Sequence, residues 1–173
     1  MISLIGLPGS GKSTVGRQLS HQLELPFIDS DFEIEQRMGC SIAEYFECAG
    51  EDRFRHFESS VIDELTQRPE GVLSTGGGVV LRPNNRDYLH HRTYVVYLNS
   101  SPTELWRRLQ YDKTRPLLQV ADPLARLHEL QTQRDPLYRE TAHFCIDTGR
   151  PSAVSLAHSI MMQLERVGRC GEN

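Results

Sequence analysis

Gly6-Leu7-Pro8-Gly9-Ser10-Gly11-Lys12-Ser13 fits the pattern G-x-x-x-x-G-K-[ST] at every fixed position. Its surroundings restrict how it is used. Residues 2–5 are a short apolar run ended by Gly6, which predicts a buried strand. Val15, Leu19 and Leu23 recur at i, i+4 and i+8, which predicts a helix over residues 13–23. A strand, a glycine turn and a helix in that order curl the backbone so that successive N–H groups point at phosphate oxygens, and the helix adds its positive end. Gly9, Ser10 and Gly11 shape this cradle. Lys12 brings a mobile point charge to the β- and γ-phosphates, the Ser13 hydroxyl is a ligand for Mg²⁺, and Thr14 reaches an inner phosphate. Of 19 basic residues only Lys12 and Lys113 are lysine, so the compact charge at position 12 is a specific feature. The bland reading, a glycine turn with a chance Lys-Ser, needs the strand, the helix and the scarce lysine all to coincide. No G-x-G-x-x-G is present, so the ligand is a nucleoside triphosphate such as ATP and not a dinucleotide.

The chain has 173 residues, 38% hydrophobic and 24% charged, the profile of a single globular domain and not of a disordered chain. No window nears the roughly 18 consecutive apolar residues of a membrane helix. A net charge of −4 without a polybasic run argues against nucleic acid as the main partner. Cys40, Cys48, Cys145 and Cys170 form no CxxC pair and are expected to be free thiols in a reducing compartment. The apolar start carries no basic leader and runs at once into Pro8, so the expected location is the cytoplasm. No oligomerisation pattern is visible, and the expectation is a monomer.

Further strands are predicted over residues 26–29, 72–75, 94–98 and 144–147. Ser41-Ile42-Ala43-Glu44 has the form of a capping box and opens a helix; further helices are expected over 51–66, from Pro102 onward, over 123–134 and over 153–166. Residues 112–122 lack periodicity and read as a loop, and 167–173 as a polar tail after a domain spanning 1–166. Strands alternate with helices, which gives an α/β fold on a mostly parallel sheet with helices on both faces and ligands at the carboxyl ends of the strands.

The other candidate residues fall at those ends. Asp29 and Asp31 close the second strand and point the same way if the strand continues; Asp29 alone is also a good helix cap. Arg55 lies on a predicted helix, able to pair with Glu51 or Glu58 at i−4 and i+3. Gly76, Gly77 and Gly78 follow a strand, either as a flexible turn or as a place of close backbone approach. Thr114-Arg115-Pro116-Leu117-Leu118 sits in the loop, and Arg134-Asp135-Pro136-Leu137-Tyr138 follows, with a surface salt bridge the default for Arg134. His90 and His91 lack metal-ligand partners and read as exposed; Trp106 reads as helix packing.

Taken together and in order, these motifs resemble the shikimate kinase family over residues 2–164. The resemblance implies a P-loop NTPase fold, three-layer α/β/α with a five-stranded parallel sheet, a small substrate-binding region and a mobile lid at about residues 112–122. It implies transfer of the γ-phosphate of ATP to the 3-hydroxyl of shikimate, with Mg²⁺, in the pathway to chorismate and the aromatic amino acids. By motif, Asp31 would lie near the attacking hydroxyl, Arg55 and Arg134 would hold the substrate carboxylate, and Gly77 would approach the substrate through its backbone, with Gly76 and Gly78 shaping the turn. Arg115 would reach the phosphates from the lid, Ser13 would bind Mg²⁺ directly and Asp29 through water, and Arg150 is a candidate for adenine. The roles suit the chemistry: an anionic ring acid wants the planar fork of arginine, and phosphoryl transfer wants charge neutralisation by Lys12, Mg²⁺ and Arg115. Rival readings are a gluconate-type or nucleoside monophosphate kinase, which would lack the Arg55, Gly77 and Arg134 combination, and a nucleotide-dependent switch.

Overall fold

The computed structural model of the chain describes residues 1–113 and 119–170, with side chains through residue 168. Strands β1 (Ile2–Ile5), β2 (Phe27–Asp29), β3 (Val72–Ser74), β4 (Tyr94–Asn99) and β5 (Phe144–Asp147) form one sheet in the order β2-β3-β1-β4-β5. Every pairing is parallel, and central β1 sets Ile2 opposite both Val72 of β3 and Tyr94 of β4. Parallel neighbours cannot be joined by a tight turn, so helices make the crossovers. The crossovers hold α1 (Lys12–Leu23), α2 (Ser30–Met38), α3 (Ile42–Ala49), α4 (Glu51–Leu65), α5 (Pro83–Arg92), α6 (Pro102–Leu109) and α7 (Pro123–Thr141), and α8 (Ala153–Cys170) follows β5.

The two-residue period of the strands divides the core. Ile5, Val95 and Tyr97 point into one cluster with Ile34, Val61, Leu89 and Leu130, while Ile2, Leu4, Val96 and Leu98 point into another with Val15, Leu19, Leu156 and Ile160. Helices α1 and α8 cover the second face, and α2, α4, α5 and α7 build on the first, which makes the three layers. The chain leaves β1 toward β2 and leaves β4 toward β5, so a crevice opens at the carboxyl end of the sheet beside β1.

The capping box forms as expected: Glu44 N donates to Ser41 Oγ at 3.1 Å and Ser41 N to Glu44 Oε2 at 2.9 Å. Pro102 occupies the first turn of α6, and Trp106 packs on the core. Cys40, Cys48 and Cys145 are free thiols, and His90 and His91 are exposed. No described helix is long and apolar enough to cross a membrane.

Four differences from the sequence reading have physical causes. The second strand stops at Asp29, and α2 begins at once, because the Asp29 carboxylate caps it. Helix α5 was not expected: it is polar on nearly every side, with only Asn85 and Leu89 buried. Helix α7 runs past Arg134 and through Pro136 to Thr141, since burial of Tyr138 and Thr141 outweighs the roughly 3 kcal/mol an interior proline costs. Helix α8 continues to Cys170, so the boundary placed at 166 falls inside a helix.

At the opposite end of the sheet, His143 Nδ1 accepts the Val95 N–H at 3.0 Å, and its ring lies between His90 at 4.4 Å and Tyr94 at 5.3 Å. Partial burial, then the neighbouring His90 and His91, hold His143 below the ordinary histidine value. The unfolded chain therefore takes up this proton first: the stabilisation is present above about pH 6.5 and lost as pH falls through the folded value. Between about pH 7 and about pH 5.5 the parent's Tm should fall further than that of His143→Asn, which keeps an acceptor but does not titrate. Thermal melts across that range check it, and parallel losses in the two proteins would show that His143 contributes nothing.

Candidate active site

The loop after β1 is held open by its own backbone. Gly11 caps α1 with φ +93°, a left-handed conformation that side chains resist. Lys12, only 8% exposed, lies back along the loop, with Nζ donating to the carbonyls of Gly6 and Leu7 at 2.9 Å each. Ser13 and Thr14 open α1, and both line the same cavity as Gly9, Ser10 and Gly11.

Asp29 does two jobs with two oxygens. Oδ1 accepts the N–H groups of Asp31 at 3.0 Å and Phe32 at 3.2 Å, which caps α2; Oδ2 accepts the Ser13 hydroxyl at 3.0 Å. The helix cap and the cavity-facing carboxylate are thus one residue. Ser74 Oγ, at the end of β3, lies 3.2 Å from Ser13 Oγ and was not singled out from the sequence. Asp31 sits in the first turn of α2 and not on a continued strand, yet it reaches the cavity too. Burial, then the charge of Asp29, pushes its carboxyl above the usual value, against the pull of Lys12.

The far end of the cavity carries two buried arginines. Arg55, on α4, is 9% exposed; Nη1 donates to Glu58 Oε1 at 2.9 Å, and Nε and Nη2 reach Glu51 Oε1 at 3.4 Å. Both pairings open from the sequence exist. Glu58 is itself buried, which pushes its carboxyl up while Arg55 pulls it back. Arg134, on α7, forms no surface salt bridge among the described residues. It is 5% exposed, and its buried Nε and Nη1 find no partner among the described residues. A guanidinium so placed loses water without replacing it, a cost that a bound anion would remove.

The three glycines are a site of close approach. A Cβ on Gly76 would stand 2.6 Å from Asp31 Oδ1, on Gly77 2.8 Å from Pro8 Cδ, and on Gly78 2.5 Å from Arg55 Cζ. Tyr138 donates its hydroxyl to the Gly77 carbonyl at 2.5 Å. Glu58 is the i+3 partner that the sequence offers Arg55; Tyr138 carries no separate role in the sequence reading, although it stands at i+4 from Arg134.

At the other end Arg108, on α6, donates to Gly9 O at 3.1 Å and to Thr148 O at 2.9 Å, joining the phosphate loop to the segment after β5. Sequence reasoning missed it because Arg107-Arg108 looks like any exposed basic pair. Thr148 and Pro151 line the cavity; Arg150 is exposed and is not among the lining residues, so the structure does not bring it to the site. Arg115 lies outside the described residues.

One cavity of about 1180 Å³ spans all of this, from Thr148 and Pro151 past Lys12 to Arg55 and Arg134. A phosphate cradle after β1 in a 2-3-1-4-5 parallel sheet, open to a second compartment lined by Arg55 and Arg134, belongs to the P-loop kinases. The family model of shikimate kinase matches residues 8–165. A shikimate kinase of Paracidovorax citrulli is 59% identical over 170 residues, covering 96% of this chain and 93% of that one. One from Burkholderia thailandensis is 54% identical over 167 residues, covering 96% and 91%. The structure of shikimate kinase from Acinetobacter baumannii in complex with shikimate superposes with a TM-score of 0.93 at 45% identity, covering 95% of this chain and 92% of that one. The chain belongs to the shikimate kinase family.

Gly78 tests the crowding directly. Its φ of −93° suits any residue, so Gly78→Ala leaves the backbone unstrained and acts by displacing the Arg55 guanidinium. The KM for the acceptor substrate should rise at least about tenfold, equivalent to ~1.4 kcal/mol, with the KM for ATP little changed. Steady-state kinetics with each substrate varied in turn check it; an unaltered acceptor KM would mean that Arg55 is free to move without consequence.

Proposed function

We propose that the chain transfers the γ-phosphate of ATP to the 3-hydroxyl of shikimate, giving shikimate 3-phosphate and ADP for the chorismate pathway. The observation that carries the reading is the buried guanidinium of Arg134, whose Nε and Nη1 lack partners among the described residues in the cavity that also holds Lys12. A neutral acceptor would leave that cation unpaired. A carboxylate would accept from it in the planar geometry that arginine offers and lysine does not. The pairing of Arg55 with Glu58 holds the second guanidinium at the same end. This speaks against a neutral acceptor, and against a switch that needs no acceptor at all.

Each group then has a task. Lys12 and the backbone of residues 9–14 hold the triphosphate, and Arg115 acts from the lid on the transferring phosphoryl group by its motif. Asp31, half-buried against Gly76, accepts from the substrate hydroxyls and orients the attacking oxygen. Gly76, Gly77 and Gly78 let the acceptor ring lie against bare backbone. Arg108, with Thr148 and Pro151, borders the nucleoside end in place of Arg150.

Ser13 and Asp29 fit Mg²⁺: a hydroxyl and a carboxylate oxygen 3.0 Å apart are hard donors, and the ion takes one or two carboxylates beside substrate phosphates and waters. Ser13 would hold it directly and Asp29 through water, and when bound it supplies charge neutralisation at the β- and γ-phosphates. Among the described residues no group of three or more His, Cys, Asp or Glu could hold a metal ion by itself, which suits an ion brought in with the nucleotide. We keep the monomer as the working state, and the three free thiols among the described residues suit the cytoplasm.

The test of the acid site is a neutral carboxamide analogue of shikimate, which keeps the reacting hydroxyl. Its kcat/KM should be lower by at least about tenfold, and Arg134→Ala should narrow the gap between acid and amide. If parent and variant share one preference, the carboxylate does not sit on Arg134.

Asp31 and Asp29 are separable in the same assay. Asp31→Asn should lower kcat with no recovery at high Mg²⁺, whereas the defect of Asp29→Asn should be partly restored by excess Mg²⁺. Equal defects with equal recovery would mean that the two roles are divided wrongly.

A further inference from the structure

Tyr138 is fully buried on α7, one turn beyond Arg134, so the two side chains lie on the same face of the helix. Packing alone does not call for a tyrosine here. The ring stacks on Tyr97 with centroids 4.9 Å apart, a contact phenylalanine would make equally well. The hydroxyl is the distinguishing atom. A buried hydroxyl costs free energy unless it is hydrogen-bonded, and this one donates to the Gly77 carbonyl at 2.5 Å.

That bond crosses from α7 to the turn after β3, and both elements line the cavity, through Arg134 and through the three glycines. The stacked neighbour behaves differently: the Tyr97 hydroxyl donates to Asp135 Oδ1 at 2.9 Å and to Asn99 Oδ1 at 3.1 Å, away from the glycines. Burial also drives the Tyr138 phenol well above its ordinary value, against the pull of the Arg134 guanidinium that faces it, so the hydroxyl stays a donor at any working pH.

We propose that Tyr138 is a positioning residue for the acceptor: its hydroxyl fixes the Gly77 backbone at a set distance from the Arg134 guanidinium, and so sets the gap into which the substrate acid fits. The inference rests on the reading that Gly77 and Arg134 contact the acceptor. Without the hydroxyl, the glycine turn and the guanidinium keep their chemistry but lose their common reference. Acceptor binding should then suffer while nucleotide binding, which uses neither group, should not.

The experiment compares Tyr138→Phe, Tyr97→Phe and Arg134→Ala by calorimetric titration with shikimate and, separately, with ATP. Tyr138→Phe should raise the Kd and KM for shikimate about five- to tenfold, the reach of one hydrogen bond, with the Kd for ATP within about twofold of the parent. Tyr97→Phe should leave the shikimate Kd unchanged. A lowered Tm for Tyr138→Phe with an unchanged shikimate Kd would make the hydroxyl merely structural and overturn the proposal. Weakening of ATP and shikimate alike would overturn it too. Replacing Tyr138 by 3-fluorotyrosine keeps ring and hydroxyl, so the shikimate Kd should stay at or below the parent's even if Tyr138→Phe does not fold; a raised Kd there would assign the effect to ring packing and overturn the proposal. Arg134→Ala separates the two levels: if it leaves the shikimate Kd unchanged, the acceptor site itself is misplaced, whereas a large loss there beside an unaffected Tyr138→Phe refutes only the role of Tyr138.

Discussion

All five strands point the same way, and that constraint organises the molecule. A parallel sheet collects its five carboxyl ends on one edge, and the segments leaving that edge are neighbours in space however far apart they are in sequence. The loop after β1 brings Lys12, the end of β2 brings Asp29, the turn after β3 brings the glycines, and the segment after β5 brings Thr148. The crossover helices cover both faces and leave that edge open, which makes room for a cavity large enough for two substrates.

Within that frame the two ends of the cavity are built by opposite means. The phosphate end uses backbone: Gly11 in a left-handed conformation, a helix start, and a lysine resting on carbonyls of its own loop. The acceptor end uses buried side-chain charge, with Arg55 neutralised by Glu58 and Arg134 left with two N–H groups unmatched. Native structures rarely carry such groups, because the desolvation of each is not recovered. The fold tolerates it here because α7 is anchored on both sides of Arg134, by Leu130 and by Tyr138 in the core. On the proposed reading, stability is given up locally so that an anionic acceptor would meet a site already desolvated and oriented.

Much of this was legible from residues alone. The phosphate loop was readable because its chemistry is local: eight contiguous residues between a strand and a helix contain the whole cradle. The parallel α/β fold followed from strands alternating with helices. Asp29 illustrates the limit of such reading, since cap and cavity carboxylate were posed as alternatives and one side chain does both with separate oxygens. Helix α5 was illegible because it has almost no apolar face, and α7 was cut short at a proline whose cost only tertiary burial could offset. Ser74, Arg108 and Tyr138 were missed for one reason. Each matters through a partner distant in sequence, and spacing along one element does not report such a partner.

The central claim is that the unmatched guanidinium of Arg134 is the seat of the substrate carboxylate. A crystal structure of this protein with shikimate and ADP bound measures it directly. The account predicts a carboxylate oxygen within about 3 Å of Arg134 Nε or Nη1, and the 3-hydroxyl turned toward Asp31. A bound shikimate with its carboxylate away from both Arg55 and Arg134, those two N–H groups still unmatched, would contradict it.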